Sequence, residues 1–303
     1  MTTAKEKKRA IPFQMMERSA LDPSEGKELY LYSFFWTAML FLAVPAACAI
    51  YGGWETLFPD LWRIWFSPSK LVTDYFELGG IGATFLNAAL CGLACNIAMI
   101  LVRATPDAKV LAGYFLVIAH CFYGLNFINM WPSFFGIAVY CAVMKKSYRD
   151  RLYLSMFATS LGPFISDFLF RYTQGDSFDA EHPTVNLWGI LLSLVFGIAS
   201  GFIIPAILPG TTSMHKGFNL FKAGLAIGLF GMFAYAFFYK TFGLAGPDVI
   251  HRINDAYESQ ERSYLVFINI FFSVIFLSSL LFGFFRNKRS FFGYHKLFGA
   301  DGW

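Results

Sequence analysis

Residues 110–144 read VLAGYFLVIAHCFYGLNFINMWPSFFGIAVYCAVM. The stretch is apolar, too long for one membrane crossing of about 20 residues and too short for two. Gly124, Asn126, Asn129 and Pro132 interrupt it near the middle. Asn and Gly favour turns, so the sequence predicts two short helical pieces meeting at a polar break. Irregular backbone at membrane depth must be buried in protein or line a watery cavity. The stretch is therefore a re-entrant hairpin or a pair of short crossing helices, held against other helices.

Working outward, six further apolar runs cover 29–52, 79–102, 152–170, 186–208, 222–240 and 264–285. Each is long enough to span about 30 Å of hydrocarbon. The chain is 56% hydrophobic and 15% charged, against about 25% charged in soluble domains. This composition excludes a disordered chain, a nucleic-acid-binding protein and an ordinary soluble enzyme. The expected fold is all-α and polytopic, with six full spans plus the broken or re-entrant pair at 110–144. Residues 1–28 form a polar arm, 29–285 the transmembrane domain and 286–303 a tail.

The charges orient the chain. With the N-terminus inside and 110–144 returning to the side it left, 18 Lys/Arg fall inside and six outside. Basic residues concentrate in cytoplasmic segments, so both termini are expected in the cytoplasm. The outer connections 171–185 and 241–263 carry Asp176, Asp179, Glu181, Asp248, Asp255, Glu258 and Glu261. Segment 54–67, with Trp54, Phe58, Trp62 and Trp65, reads as an amphipathic helix anchored at the outer interface.

Several polar groups fall at membrane depth. Asn87 follows Gly79-Gly80-Ile81-Gly82 and shares a face with Ala83, Cys91 and Cys95. That face suits close helix packing, or a solute path in which the Asn87 amide offers donors and an acceptor. The break holds His120, Asn126 and Asn129. It is either a structural turn or, as in transporters with broken helices, part of a substrate site. Thr159 and Pro163 interrupt 152–170, where a kink is expected. Asp167 is the carboxylate well inside a span; it pairs with Arg171 one turn on, or serves a solute or proton. Segment 211–222 is an ordinary loop or a gate containing His215, Lys216 and Asn219. Gly197-xxx-Gly201 and Gly224-xxx-Gly228 are helix-packing patterns.

Cys48, Cys91, Cys95, Cys121 and Cys141 lie in apolar runs without metal or disulfide spacing. A haem held by His120 would need a second histidine on a neighbouring span, which the sequence lacks. No cofactor, metal or nucleic acid is expected. No nucleophile–base pair or phosphate loop points to an enzyme.

Asp74-Tyr-Phe-Glu-Leu-Gly-Gly-Ile-Gly-Ala83 with Asn87, Phe122-Tyr-Gly-Leu-Asn126, Asn129-Met-Trp-Pro132 with Gly136, Ala158-Thr-Ser-Leu-Gly-Pro163 and His215-Lys-Gly-Phe-Asn-Leu-Phe221 carry a resemblance. In these stretches the chain resembles the domain-of-unknown-function family 1576 of bacterial multi-pass membrane proteins. The resemblance implies a bacterial inner-membrane location. It also implies longer members whose second half repeats the acidic-Gly and Asn-Pro features. On that comparison this chain corresponds to an N-terminal half, half of a homodimer, or a subunit of a larger complex.

Two functions remain open. One is a small-solute transporter or channel with its site among Asn87, Asn126, Asn129, Thr159, Asp167 and His120. The other is a non-transporting structural or accessory subunit. A polar cavity reaching Asn87 and Asn126 would favour the first. A dry, packed 120–132 region with a large apolar lateral surface would favour the second. Small-residue faces on three spans also lead to the expectation of a homo-oligomer or a larger membrane complex.

Overall fold

The computed structural model describes residues 23–69, 73–179, 182–214, 222–241, 256–287 and 289. Its elements are helical: α1 (Pro23–Tyr51), α2 (Leu57–Phe66), α3 (Tyr75–Leu101), α4 (Ala108–His120), α5 (Trp131–Val143), α6 (Leu152–Ala158), α7 (Gly162–Asp167), α8 (Leu187–Met214), α9 (Lys222–Tyr235) and α10 (Ala256–Arg286). Among the described residues, six stretches are long and apolar enough to cross a membrane: Gly26–Tyr51, Tyr75–Leu101, Arg149–Tyr172, Leu187–Thr211, Ala223–Thr241 and Arg262–Arg286. They coincide with the six expected runs to within a few residues. The fold is an all-α polytopic bundle.

The second span starts earlier than the run of apolar residues. Asp74 caps it, its carboxylate accepting from the backbone N–H groups of Phe76 (2.8 Å) and Glu77 (3.3 Å). A left-handed φ of 69° at Gly80 then breaks the helix, a conformation that glycine adopts without a Cβ penalty. The Thr84 hydroxyl lies across the break, within 2.7 Å of the Gly80 carbonyl and 2.8 Å of the Tyr75 carbonyl. The glycines flanking the break serve close packing. A Cβ at Gly79 would meet Ile64 Cδ1 at 2.7 Å, and one at Gly82 would meet Cys48 Sγ at 2.8 Å.

α4 and α5 have 13 residues each, about 20 Å at 1.5 Å per residue and short of a ~30 Å core. They do not lie side by side as a simple hairpin. α6 runs between them and packs on both. The start of α4 meets the start of the 149–172 helix. There Arg149 Nη2 donates to Thr105 Oγ1 (2.9 Å), and Lys109 Nζ lies 5.9 Å above the Tyr153 ring. Arg103, Lys109, Lys145 and Lys146 flank the pair, and the turn at 121–130 joins its inner ends.

The bundle has two apolar cores. One unites α1, α2, α3, α4 and α10 around Trp36, Phe85 and Tyr114. The other unites α5 to α9 around Ile137, Phe164 and Phe168. The chain passes from the first to the second through the turn at 121–130. In the second core α5 and α8 are in backbone contact. A Cβ at Gly136 would overlap the Gly197 carbonyl, and one at Gly197 would reach Pro132 Cβ at 2.7 Å. Gly201 also packs on Gly136. The Gly197-xxx-Gly201 pattern thus serves helix packing within the chain, whereas Gly228 faces open space.

α2 is the amphipathic helix expected at 54–67. Trp54, Phe58 and Trp62 are exposed, as suits an interface anchor. Its other face, Leu57, Leu61 and Ile64, is buried against α3. Trp65 points inward rather than to the interface, stacking on Phe127 at 5.6 Å.

Candidate functional site

A fully buried polar region lies where the two cores meet. Asn126 and Asn129 cap each other across the turn. Asn126 Oδ1 accepts from the N–H groups of Ile128 (3.0 Å) and Asn129 (2.9 Å), and Asn129 Oδ1 accepts from the Asn126 N–H (2.8 Å). This reciprocal arrangement ends the turn just before Trp131 and Pro132 begin α5. Gly124, at φ 128°, makes the turn possible. A Cβ there would lie 2.9 Å from Pro163 Cγ, so the kink of the 149–172 helix seats directly on the turn.

The remaining amide groups reach outward into neighbouring helices. Asn126 Nδ2 donates to the Ile64 carbonyl of α2 (3.0 Å) and the Tyr75 hydroxyl of α3 (3.2 Å). Asn129 Nδ2 donates to the Gly124 carbonyl (2.9 Å) and to Ser166 Oγ of α7 (2.8 Å). Asn87 Nδ2 donates to the carbonyls of Cys121 (3.2 Å) and Leu125 (2.9 Å). Its Oδ1 accepts from Trp65 Nε1 (3.1 Å) and the Phe127 N–H (3.2 Å). All three asparagines are fully buried. Each amide nitrogen and oxygen has protein partners, so none is left to hold a solute.

The structure brings Asn87, Asn126 and Asn129 into one network and leaves the other candidates outside it. Thr159 is buried in the helix interruption, but its hydroxyl turns back to the Met156 carbonyl (2.7 Å). His120 closes α4, with Nδ1 2.8 Å from the Leu116 carbonyl and its ring against Tyr123. Asp167 belongs to a second cluster. It forms a two-point ion pair with Arg171 (2.7 and 3.0 Å) and accepts a hydrogen bond from the Tyr239 hydroxyl. This triad joins two π-helical turns, Phe168–Tyr172 and Ala236–Thr241. The proposed gate residues His215, Lys216 and Asn219 lie outside the described residues.

Reading the sequence alone missed Trp65, Tyr75 and Tyr239. The hint for Trp65 is its place on the Leu57–Leu61–Ile64 face of α2. No local pattern marks Tyr75 or Tyr239, whose partners are more than 50 positions away.

No group of three or more His, Cys, Asp or Glu side chains converges as a metal site among the described residues. A family model described as protein of unknown function (DUF1576) matches residues 54–240. No curated protein and no solved structure matches the chain.

Proposed function

The chain belongs to the DUF1576 family of unknown function, and from that premise we propose a non-transporting structural or accessory subunit of a membrane complex. One observation carries the proposal. The amides that a solute path would need are consumed by bonds that tie α2, α3, the 121–130 turn and α7 together. Buried polar networks in which every member is satisfied rigidify a core. The region works as a seam between the two apolar cores. The lateral surface supports the same proposal, because exposed aliphatic and aromatic side chains such as Leu191, Val195, Phe233 and Phe276 offer docking area to other helices. The charge distribution supports an orientation with both termini in the cytoplasm, and the family resemblance a bacterial inner-membrane location.

A small-solute transporter is the second reading. It is favoured by the clustering of helix interruptions at depth, with Gly80, 121–130 and Thr159–Leu161 all in the same bundle.

Osmotic and proton permeability separate the two. Proteoliposomes holding the purified chain should pass water, glycerol and protons no faster than empty liposomes. Permeability that rises with protein content and falls in Asn126→Leu would overturn the scaffold and support the transporter.

A further inference from the structure

Of the six spans, α10 is the least enclosed. Only 6% of an 18-residue apolar window within Arg262–Arg286 is buried, against 33% or more in the corresponding windows of the others. One face holds it to the bundle: Tyr264 and Ile275 are buried, Phe271 meets Phe85, and Phe282 stacks on Tyr32 with ring centres 4.5 Å apart. The opposite face carries a shallow groove of about 390 Å³ lined by Val266, Asn269, Ile270, Ser273, Val274 and Leu277.

Asn269 is out of place on that face. Arg262 and Arg286 bracket a stretch of roughly 36 Å, which puts Asn269 about 7 Å from its middle and Ser273 beside it. Both lie within the ~15 Å half-thickness of the hydrocarbon. Asn269 is exposed, and its carboxamide has no hydrogen-bond partner among the described residues. Water cannot satisfy it at that depth.

We propose that this face is the seam of a parallel homodimer, in which α10 packs against α10 of a second copy. The chemistry of Asn269 selects the occupant. A carboxamide is both donor and acceptor, so two copies related by a two-fold axis along the membrane normal satisfy each other. Such an interface requires one self-complementary patch and nothing else. The spacing fits: Val266, Asn269, Ser273, Phe276 and Leu280 recur every three or four residues, the repeat of left-handed helix pairs, in which a single Asn fixes register. These positions point away from Tyr264, Ile275 and Phe282, so the bundle leaves them free. The proposal deepens the scaffold reading by naming an assembly surface, and rests on it in that a scaffold must bind something.

Oxidative cross-linking of the full chain in liposomes tests it. The native cysteines are buried, so the wild type serves as the blank. Val266→Cys, Ser273→Cys and Leu280→Cys should each give a disulfide-linked dimer, and Leu281→Cys, beside the seam, much less. In the Ser273→Cys chain, adding Asn269→Leu should shift the half-dissociation point about tenfold toward higher protein-to-lipid ratio. Asn269→Gln should restore most of it. Absence of cross-links at the three seam positions, equal cross-linking at Leu281→Cys, or an unchanged dissociation point in Asn269→Leu would each overturn the seam. Because the seam residues lie on the face of α10 opposite its contacts with the bundle, the permeability result can fail independently of this one.

Discussion

Replacing Asn126 by leucine removes two donated and two accepted hydrogen bonds without opening a cavity, since leucine has the same branched shape and is no smaller. The Ile64 carbonyl, the Tyr75 hydroxyl and the N–H groups of Ile128 and Asn129 lose their partner. A buried polar group left unsatisfied costs roughly 1–3 kcal/mol. The Tyr75 hydroxyl can rotate, and Ile128 is only half-buried. The Ile64 carbonyl and the Asn129 N–H have no such escape, so the expected loss is roughly 2–6 kcal/mol. Leucine inserts into a bilayer more readily than asparagine, so membrane abundance should hold while folded stability falls. Unfolding in mixed micelles with increasing denaturing detergent, followed by tryptophan fluorescence, measures the difference. Val143→Leu is the control: a swap at an exposed side chain of α5 should leave the midpoint unchanged. An Asn126→Leu chain within about 1 kcal/mol of wild type would refute the view that this amide holds the seam.

Glycine packing and the charge split each give a further expected outcome. Gly136→Ala should destabilise the chain by about 3 kcal/mol or more, because its methyl would overlap the Gly197 carbonyl and neither backbone can yield; Gly228→Ala, facing open space, should not move the melting temperature of the detergent-solubilised protein. An impermeant maleimide added to intact cells should label Thr184→Cys, whereas Ser147→Cys should label only after permeabilisation; the reverse pattern would invert the orientation drawn from the 18-to-6 charge split.

The spans were legible because run length along the chain is what a bilayer measures. The break at 121–130 was legible because Gly124, Asn126 and Pro132 cannot continue an apolar helix cheaply. One helical turn of spacing made the pairing of Asp167 with Arg171 one of two open readings, and the structure forms it. What could not be read is lateral order. Nothing in 110–144 says that α6 separates α4 from α5, since that depends on which backbones approach closely, as at Gly136 and Gly197. Trp65 looked like an interface anchor because hydropathy ranks tryptophan the same whether its indole meets headgroups or the Asn87 amide. The true start of α3 at Tyr75 was hidden because Gly80 interrupts a helix that the Asp74 cap had already begun. Asn87, Asn126 and Asn129 stood out as polar groups at depth, but whether an amide faces a cavity or a carbonyl is decided by partners such as Ile64 and Leu125, which carry no polar side chain.

The central claim is that the asparagine network is a closed, dry seam, and thiol accessibility tests it most directly. Cys121 lies fully buried beside the network, its carbonyl accepting from Asn87. In a chain with Cys48, Cys91, Cys95 and Cys141 replaced by alanine, a small charged methanethiosulfonate should leave Cys121 unmodified in native membranes from either side and modify it fully once the protein is denatured. Rapid modification of Cys121 in the folded protein would mean that water reaches Asn87, and would contradict the account.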